Sequence, residues 1–299
     1  MRNKNIDKKQ WIEALPCWQG KVEAQPLAGG ITNVNFTVED SGCKYVARLC
    51  EDIPVHQVKQ FNVISASRAA HAIGVSPEVV YSEPGVLVIR YIEGNTFAEA
   101  DVQKPENLQQ IVTLLSHFHT EMPKHLRGAA LVFWVFQILR DYAHTLKEGR
   151  SRHLNKLPRL MKVAEILEKT LGPIDLVFGH NDLLAANIID DGKKLWLIDF
   201  DYAGFNSPLF DLANLSSNNQ LSQNQENWML ETYYRCPPTD NLWQAYYVMK
   251  CASILRETLW SMVSELHSAI DFDYSQYSAK NLEHFDQTFE KLHTEFNLS

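Results

Sequence analysis

The chain has 299 residues, 45% hydrophobic and 21% charged, which supplies a large core or two lobes and argues against disorder. With 28 Lys+Arg against 36 Asp+Glu the net charge is −8, which speaks against a nucleic-acid backbone or an anionic bilayer as the main partner. The longest apolar run, 129–136, is far short of the ~18 residues of a membrane span, no apolar run follows the basic N-terminus, and the five cysteines form no CxxC pair. The expectation is a cytoplasmic chain with free thiols and no membrane insertion.

In chain order, the runs 22–27, 34–39, 44–49 and 86–91 are short and rich in Val, Ile, Tyr and Phe, which predicts strands. Asp40-Ser41-Gly42 joins the second to the third as a hairpin turn. A helix is predicted over 55–72, ended by Gly74 and Pro77. After a polar joint at Glu93-Gly94-Asn95-Thr96 the pattern becomes helical, over about 105–121, 132–149, 157–170, 223–234, 239–269 and 279–297. One β-like island, 176–201, interrupts it. The predicted class is α+β, with a β-rich lobe over 1–92 and a mainly helical lobe over 93–299.

The island carries Gly179-His180-Asn181-Asp182-Leu183-Leu184-Ala185-Ala186-Asn187, then Leu197-Ile198-Asp199-Phe200-Asp201. Two apolar runs flank Asp190-Asp191-Gly192-Lys193, a hairpin turn that folds Asn187 back beside Asp199. Asp182 is presented from the preceding loop. Two carboxylates and one amide oxygen then converge, hard oxygen ligands of the kind that suit Mg²⁺, which takes few protein oxygens plus waters and phosphates. A further carboxylate that holds no metal can accept a hydroxyl proton. The spacing D-x-x-x-x-N followed by an Asp after an apolar strand is that of a phosphoryl-transfer site.

Upstream, Leu27-Ala28-Gly29-Gly30-Ile31-Thr32-Asn33 lies between two predicted strands. Paired glycines let backbone N–H groups approach a phosphate, with Thr32 and Asn33 adding polar contacts; a plain Gly-Gly hairpin would read the same way. No Walker A or G-x-G-x-x-G sequence occurs. Arg48, among the apolar residues of the next strand, either grips phosphate oxygens or snorkels to solvent. In the helix over 239–269, Tyr247, Cys251, Ile254, Leu255, Thr258, Met262 and Leu266 share one stripe, and Trp260 lies almost opposite, either packed on another helix or lining a cleft.

These segments resemble the choline/ethanolamine kinases, within the kinase-like superfamily that includes aminoglycoside phosphotransferases. The likeness is carried by Gly29-Gly30-Ile31-Thr32-Asn33, His180-Asn181-Asp182 with Asn187, Ile198-Asp199-Phe200, Phe210-Asp211, and Trp260-Ser261-Met262-Val263 followed by Phe272, Tyr274 and Tyr277. The resemblance implies a protein-kinase-like two-lobe fold around an ATP cleft, with Asp182 as base and Asn187 and Asp199 as Mg²⁺ ligands. It implies nucleotide contacts from Gly29, Gly30, Thr32, Asn33 and Arg48, with the backbone of Arg90 and Ile92 at the adenine. It implies Asp211 as a brace of the catalytic loop, and rings of Tyr202, Trp260, Phe272 and Tyr277, with the charge of Asp201 nearby, around the substrate's ammonium group. Glu257 stands where several members of the family carry a second Trp.

The expected function is ATP- and Mg²⁺-dependent phosphorylation of a small amino alcohol, choline or ethanolamine. The alternatives are a related kinase for an aminoglycoside, thiamine or another amino alcohol, and a nucleotide-binding pseudokinase. The helix over 55–72 contains no Asp or Glu, and Val63 falls where the family pattern expects a Glu to hold the basic residue. Arg48 is therefore expected to be held by Asp199 or by the phosphates, or to be loose.

Overall fold

In the computed structural model, which describes residues 7–27, 34–268, 270 and 272–296, a short helix α1 (Lys8–Glu13) leads into strands β1 (Ala24–Leu27), β2 (Val34–Asp40) and β3 (Cys43–Cys50). Ser41 and Gly42 turn β2 into β3 with φ of 51° and 76°, the left-handed pair that a two-residue hairpin turn requires. A 3₁₀ turn at Pro54–His56 precedes helix α2 (Gln60–Ala72). Strands β4 (Val79–Glu83) and β5 (Gly85–Arg90) then complete an antiparallel sheet of order β1-β2-β3-β5-β4. Alternation along β5 sends Val86 and Val88 to one face with Phe36, Val38, Ala47 and Ile12. Leu87 points to the other face, where it packs with Cys50, Val58 and Val63.

The chain leaves this sheet through β6 (Asn95–Thr96), which pairs with a strand of the following lobe. That lobe opens with α3 (Glu99–Val102), α4 (Pro105–His125), α5 (Val135–Glu148) and α6 (Leu157–Thr170). Short strands follow: β7 (Val177–Gly179), β8 (Ile188–Asp190), β9 (Leu195–Leu197) and β10 (Gly204–Asn206). Helices α7 (Pro208–Asn218), α8 (Gln223–Tyr234), α9 (Asp240–His267) and α10 (Tyr274–Phe296) complete the described elements. At the joint, a Cβ on Gly94 would stand 2.5 Å from the carbonyl oxygen of Asp190, so β6 reaches β8 only because that residue is glycine. Helix α9 is the axis of the lobe, packed against α5, α6, α7 and α10 and buried on nearly every side between Tyr246 and Ser264. Among the described residues no helix is long and apolar enough to cross a membrane.

Three departures from the sequence expectation have physical causes. β4 was not foreseen: it is a half-buried edge strand with a register shift between Val79 and Tyr81, so it shows no alternation. The helix expected from 132 starts at Val135, because Leu131 and Phe133 bond through their backbones to Phe205 of β10. The helix expected from 55 is broken at Gln57, which turns left-handed at φ 59°.

Candidate active site

The loop after β7 is fixed from below. Asp211, on the first turn of α7, is fully buried and accepts the backbone N–H groups of His180 and Asn181 at 2.7 Å each. His119 of α4 holds the same carboxylate at 2.8 Å and bonds Tyr233 at 2.7 Å through its other nitrogen. Burial pushes the Asp211 carboxyl up, but the hydrogen bond and charge of His119, with His180, hold it below the ordinary range. A Cβ on Gly179 would meet the side chains of Asn181 and Asp211 at 3.0 and 3.1 Å, so this close approach belongs to glycine. Asn181 then adopts φ 63° and ties the loop to the carbonyls of Tyr202 and Gly204 at 2.9 and 3.2 Å.

Asp182 follows, lining a cleft of about 410 Å³ between the sheet and the helical lobe. Only 16% of its side-chain surface is exposed. Burial pushes its carboxyl up to about 7; Arg256 opposes this, and Glu257, Asp199 and Asp201 add to it. The β8–β9 hairpin forms as expected, with Ile188 opposite Leu197. It sets Asn187 beside Asp199, since Ile198 donates its N–H to the Asn187 carbonyl at 3.0 Å. The Asn187 amide nitrogen donates to the Asp182 carbonyl at 2.9 Å, which leaves its oxygen as the acceptor. Asp199 sits at φ 67°, a strained position for a residue other than glycine.

At one end of the cleft, Arg48 of β3 reaches across to the helical lobe. Its guanidinium donates to Asp199 Oδ1 at 2.7 Å and to Asp201 Oδ2 at 2.6 Å. Burial pushes the Asp199 carboxyl up, but Arg48 overrides this and holds it below the ordinary range. Val63, where a Glu was expected, is 1% exposed inside the apolar cluster with Leu87. Arg48 is therefore held from the opposite lobe instead of from α2. Apolar residues of the sheet, Val46, Leu87 and Ile89, line this end together with Ile92.

At the other end, Arg256 of α9 is 1% exposed and places Nη1 3.4 Å from Asp182 Oδ1 and 3.0 Å from Glu257 Oε2. Its guanidinium lies 4.1 Å from the centre of the Tyr202 ring. Tyr277 of α10 donates to Glu257 Oε1 at 2.8 Å, and the Trp260 indole donates to the Tyr202 hydroxyl at 2.8 Å. Trp260 is 4% exposed, with its ring 5.2 Å from that of His56 and 6.1 Å from that of Tyr274. Burial, with the nearby charge of Arg256 and His267, lowers His56 to about 3, so this neighbour of the indole is neutral.

The cleft thus gathers Arg48, Arg90, Ile92, Asp182, Asn187, Asp199, Asp201, Tyr202, Trp260 and Tyr277 from the residues singled out in the sequence. Gly29, Gly30, Thr32 and Asn33 lie outside the described residues. Two placements correct the expectation. Asp201, assigned to the ammonium, is turned toward Arg48 at the opposite end. Phe272 is not among the lining residues: the segment between α9 and α10 leaves it 39% exposed, packed on Tyr274 and Tyr277. The N–H of Arg90 is donated to the Glu78 carbonyl at 2.9 Å, and Arg90 itself lines the cleft beside Ile92.

Two contributors were missed. Nothing in the single sequence marks His119 as the brace of Asp211. Arg256 had a signal: Arg256-Glu257 is the one charged pair in a helix segment otherwise uncharged from Cys251 to Val263. Among the described residues no three His, Cys, Asp or Glu are grouped to hold a metal. Asp199 and the Asn187 amide oxygen, both lining the cleft, are the hard oxygen donors that fit Mg²⁺, which keeps several waters and phosphate oxygens of its own.

Comparison with known proteins follows the same lines. The family model described as choline/ethanolamine kinase matches residues 24–248. The chain is 27% identical over 277 residues to protein LicA of Haemophilus influenzae, covering 88% of this chain and 79% of that one. It is 26% identical over 296 residues to a probable ethanolamine kinase A of Dictyostelium discoideum, covering 88% and 84%. The crystal structure of a choline/ethanolamine kinase family protein from Mesorhizobium loti shares the fold with a TM-score of 0.76 at 23% identity, covering 94% of this chain and 93% of that one.

Proposed function

We propose, from the premise that this chain belongs to the choline/ethanolamine kinase family and is a phosphotransferase acting on an alcohol, that it transfers the γ-phosphoryl group of ATP to the hydroxyl of choline or ethanolamine. The observation that carries the reading is the meeting of Asp182, Asn187, Asp199 and Arg48 in one cleft, with Glu257, Tyr277 and Trp260 at its far end. In this reading residues 1–92 form the nucleotide lobe and residues 93–299 the lobe of catalysis and acceptor binding. Asp182, partly buried and beside Arg256, orients the acceptor hydroxyl and takes its proton. Arg48 holds phosphate oxygens, and the wall of Val46, Leu87 and Ile89 receives the adenine. Asn187 and Asp199 would hold Mg²⁺, which when bound would supply charge neutralisation on the phosphates. A charge of −8 and five free thiols fit an enzyme that works in a reducing cytoplasm on a small molecule, without nucleic acid or membrane insertion.

The test is incubation with Mg-ATP and a panel of alcohols, the products identified by mass. Phosphocholine or phosphoethanolamine is the expected product. A phosphorylated aminoglycoside or thiamine in their place would favour the related kinases. A folded protein that binds nucleotide and phosphorylates nothing would favour the pseudokinase.

A further inference from the structure

The acceptor end of the cleft is built around charge as much as around rings. Asp182 and Glu257 flank one guanidinium, that of Arg256, whose Nη1 contacts both. Their contacting oxygens are therefore no farther apart than the sum of two hydrogen-bond lengths. Two carboxyl groups share one cation in a partly buried site, and a second cation in the cleft favours the ionised form of both. A short amino alcohol supplies that cation. Its hydroxyl meets Asp182, and its nitrogen, a two-carbon spacer away at about 1.5 Å per bond, comes within reach of Glu257.

The rings that could instead hold a quaternary nitrogen are partly engaged by the protein. One face of Tyr202 carries the Arg256 guanidinium at 4.1 Å. Trp260 is packed against His56 and Tyr274, with its N–H committed to Tyr202. Phe272 is not among the lining residues, and the Tyr277 hydroxyl is committed to Glu257. Glu257, by contrast, keeps acceptor capacity. Each of its oxygens takes one hydrogen bond, from Arg256 or from Tyr277, and a carboxylate oxygen can take two.

We propose that Glu257, fixed by Arg256 and Tyr277, makes this site select an alcohol whose ammonium group carries N–H hydrogens over one whose nitrogen is quaternary. The inference rests on the proposed kinase activity and names the substrate class within it: protonated primary amines of the ethanolamine type. A primary ammonium approaches a carboxylate at about 2.7–2.9 Å through charge-assisted hydrogen bonds. A trimethylammonium has only methyl groups to offer, which stop at about 3.3–3.6 Å from oxygen and hold the nitrogen one bond farther back. It would cover the free lone pairs of Glu257 without replacing the water they lose.

The test is kcat/KM with Mg-ATP for ethanolamine, N-methylethanolamine, N,N-dimethylethanolamine and choline, at neutral pH where the amines are protonated. The expected result is a decline along the series, with the largest step, about 10- to 100-fold, at choline, where the last N–H is lost. Glu257→Gln should raise KM for ethanolamine more than for choline and compress the ratio between them toward one. Glu257→Asp should retain part of the preference. Circular dichroism of each variant shows whether it is folded, and the ratio between substrates cancels any shared loss through Arg256 and Asp182. Choline used as well as ethanolamine, or a ratio unchanged in Glu257→Gln, overturns the inference and leaves the kinase activity standing. If no alcohol is phosphorylated at all, the proposed function itself fails and the inference falls with it.

Discussion

The two ends of the cleft are assembled differently. At the nucleotide end the decisive contacts cross between lobes: Arg48 from the sheet, Asp199 and Asp201 from the helical side, at 2.7 and 2.6 Å. At the acceptor end Asp182, Tyr202, Arg256, Glu257 and Tyr277 all belong to the helical lobe, while His56 of the other lobe packs on the Trp260 ring. An arginine sits at the centre of both, each between two carboxylates. The first pair joins a strand of the sheet to the opposite lobe, so an anion that competes for Arg48 loosens a contact between the lobes. The second is set by helix packing and is in place before any ligand binds. The nucleotide end should therefore respond to what it binds, and the acceptor end should choose what it binds.

Substitutions can separate the two ends. The largest effect is expected where they meet: Asp182→Asn should lower kcat by about 10²–10⁴, the usual size of a general-base contribution, with Mg-ATP affinity in calorimetry little changed. Asp199→Ala should likewise remove most turnover, and should raise the Mg²⁺ concentration needed for what remains. Near-normal activity in either would dissolve the assignment of roles.

Arg48→Leu tests the independence of the ends. Loss of a charge-assisted partner should weaken Mg-ATP binding by about 10- to 100-fold, while KM for the alcohol stays within about twofold. If KM for the alcohol rose in parallel, the ends would be one coupled site.

Trp260→Ala addresses the acceptor end alone. The indole is 4% exposed and packed on two rings, so a loss of about 3–5 kcal/mol in denaturant unfolding is expected. A small loss of stability with a selective loss of choline turnover would restore the aromatic-cage reading.

The ligand-free protein should also show a pH dependence of its stability. The Asp182 carboxyl titrates near 7 in the fold, pushed up chiefly by burial, against about 3.9 unfolded. The folded chain thus binds the extra proton between those values, and Asp182 costs stability progressively as pH rises through that window. The Tm advantage of Asp182→Asn over the parent should be slight below pH 4, grow toward pH 7 and level off above it. A constant difference would mean that Asp182 is not desolvated.

What was legible in the sequence was local. The β2–β3 and β8–β9 hairpins follow from turn residues and flanking apolar runs, and the second hairpin brings Asn187 to Asp199 by backbone pairing alone. Those residues were found because covalent spacing and a tight turn determine where they go. The edge strand β4 escaped because its pairing shift and half-buried faces erase the period that marks a strand.

Tertiary structure decided everything that depends on what lies across a gap. A stripe of period 3.6 suggested one buried face for α9, yet four helices surround it, so Trp260, opposite that stripe, is buried as deeply as the stripe itself. The absence of an acid on α2 was plain in the sequence, but that Asp199 and Asp201 hold Arg48 follows from the approach of the two lobes. The same holds for Arg256: its place in a helix was readable, whereas its position between Asp182 and Glu257 depends on how α9 lies against the loop after β7. Local sequence sets backbone conformation through short-range sterics and hydrogen bonding. Which charges meet is set by long-range packing, whose partners stand 74 residues apart for Arg256 and Asp182 and 151 apart for Arg48 and Asp199.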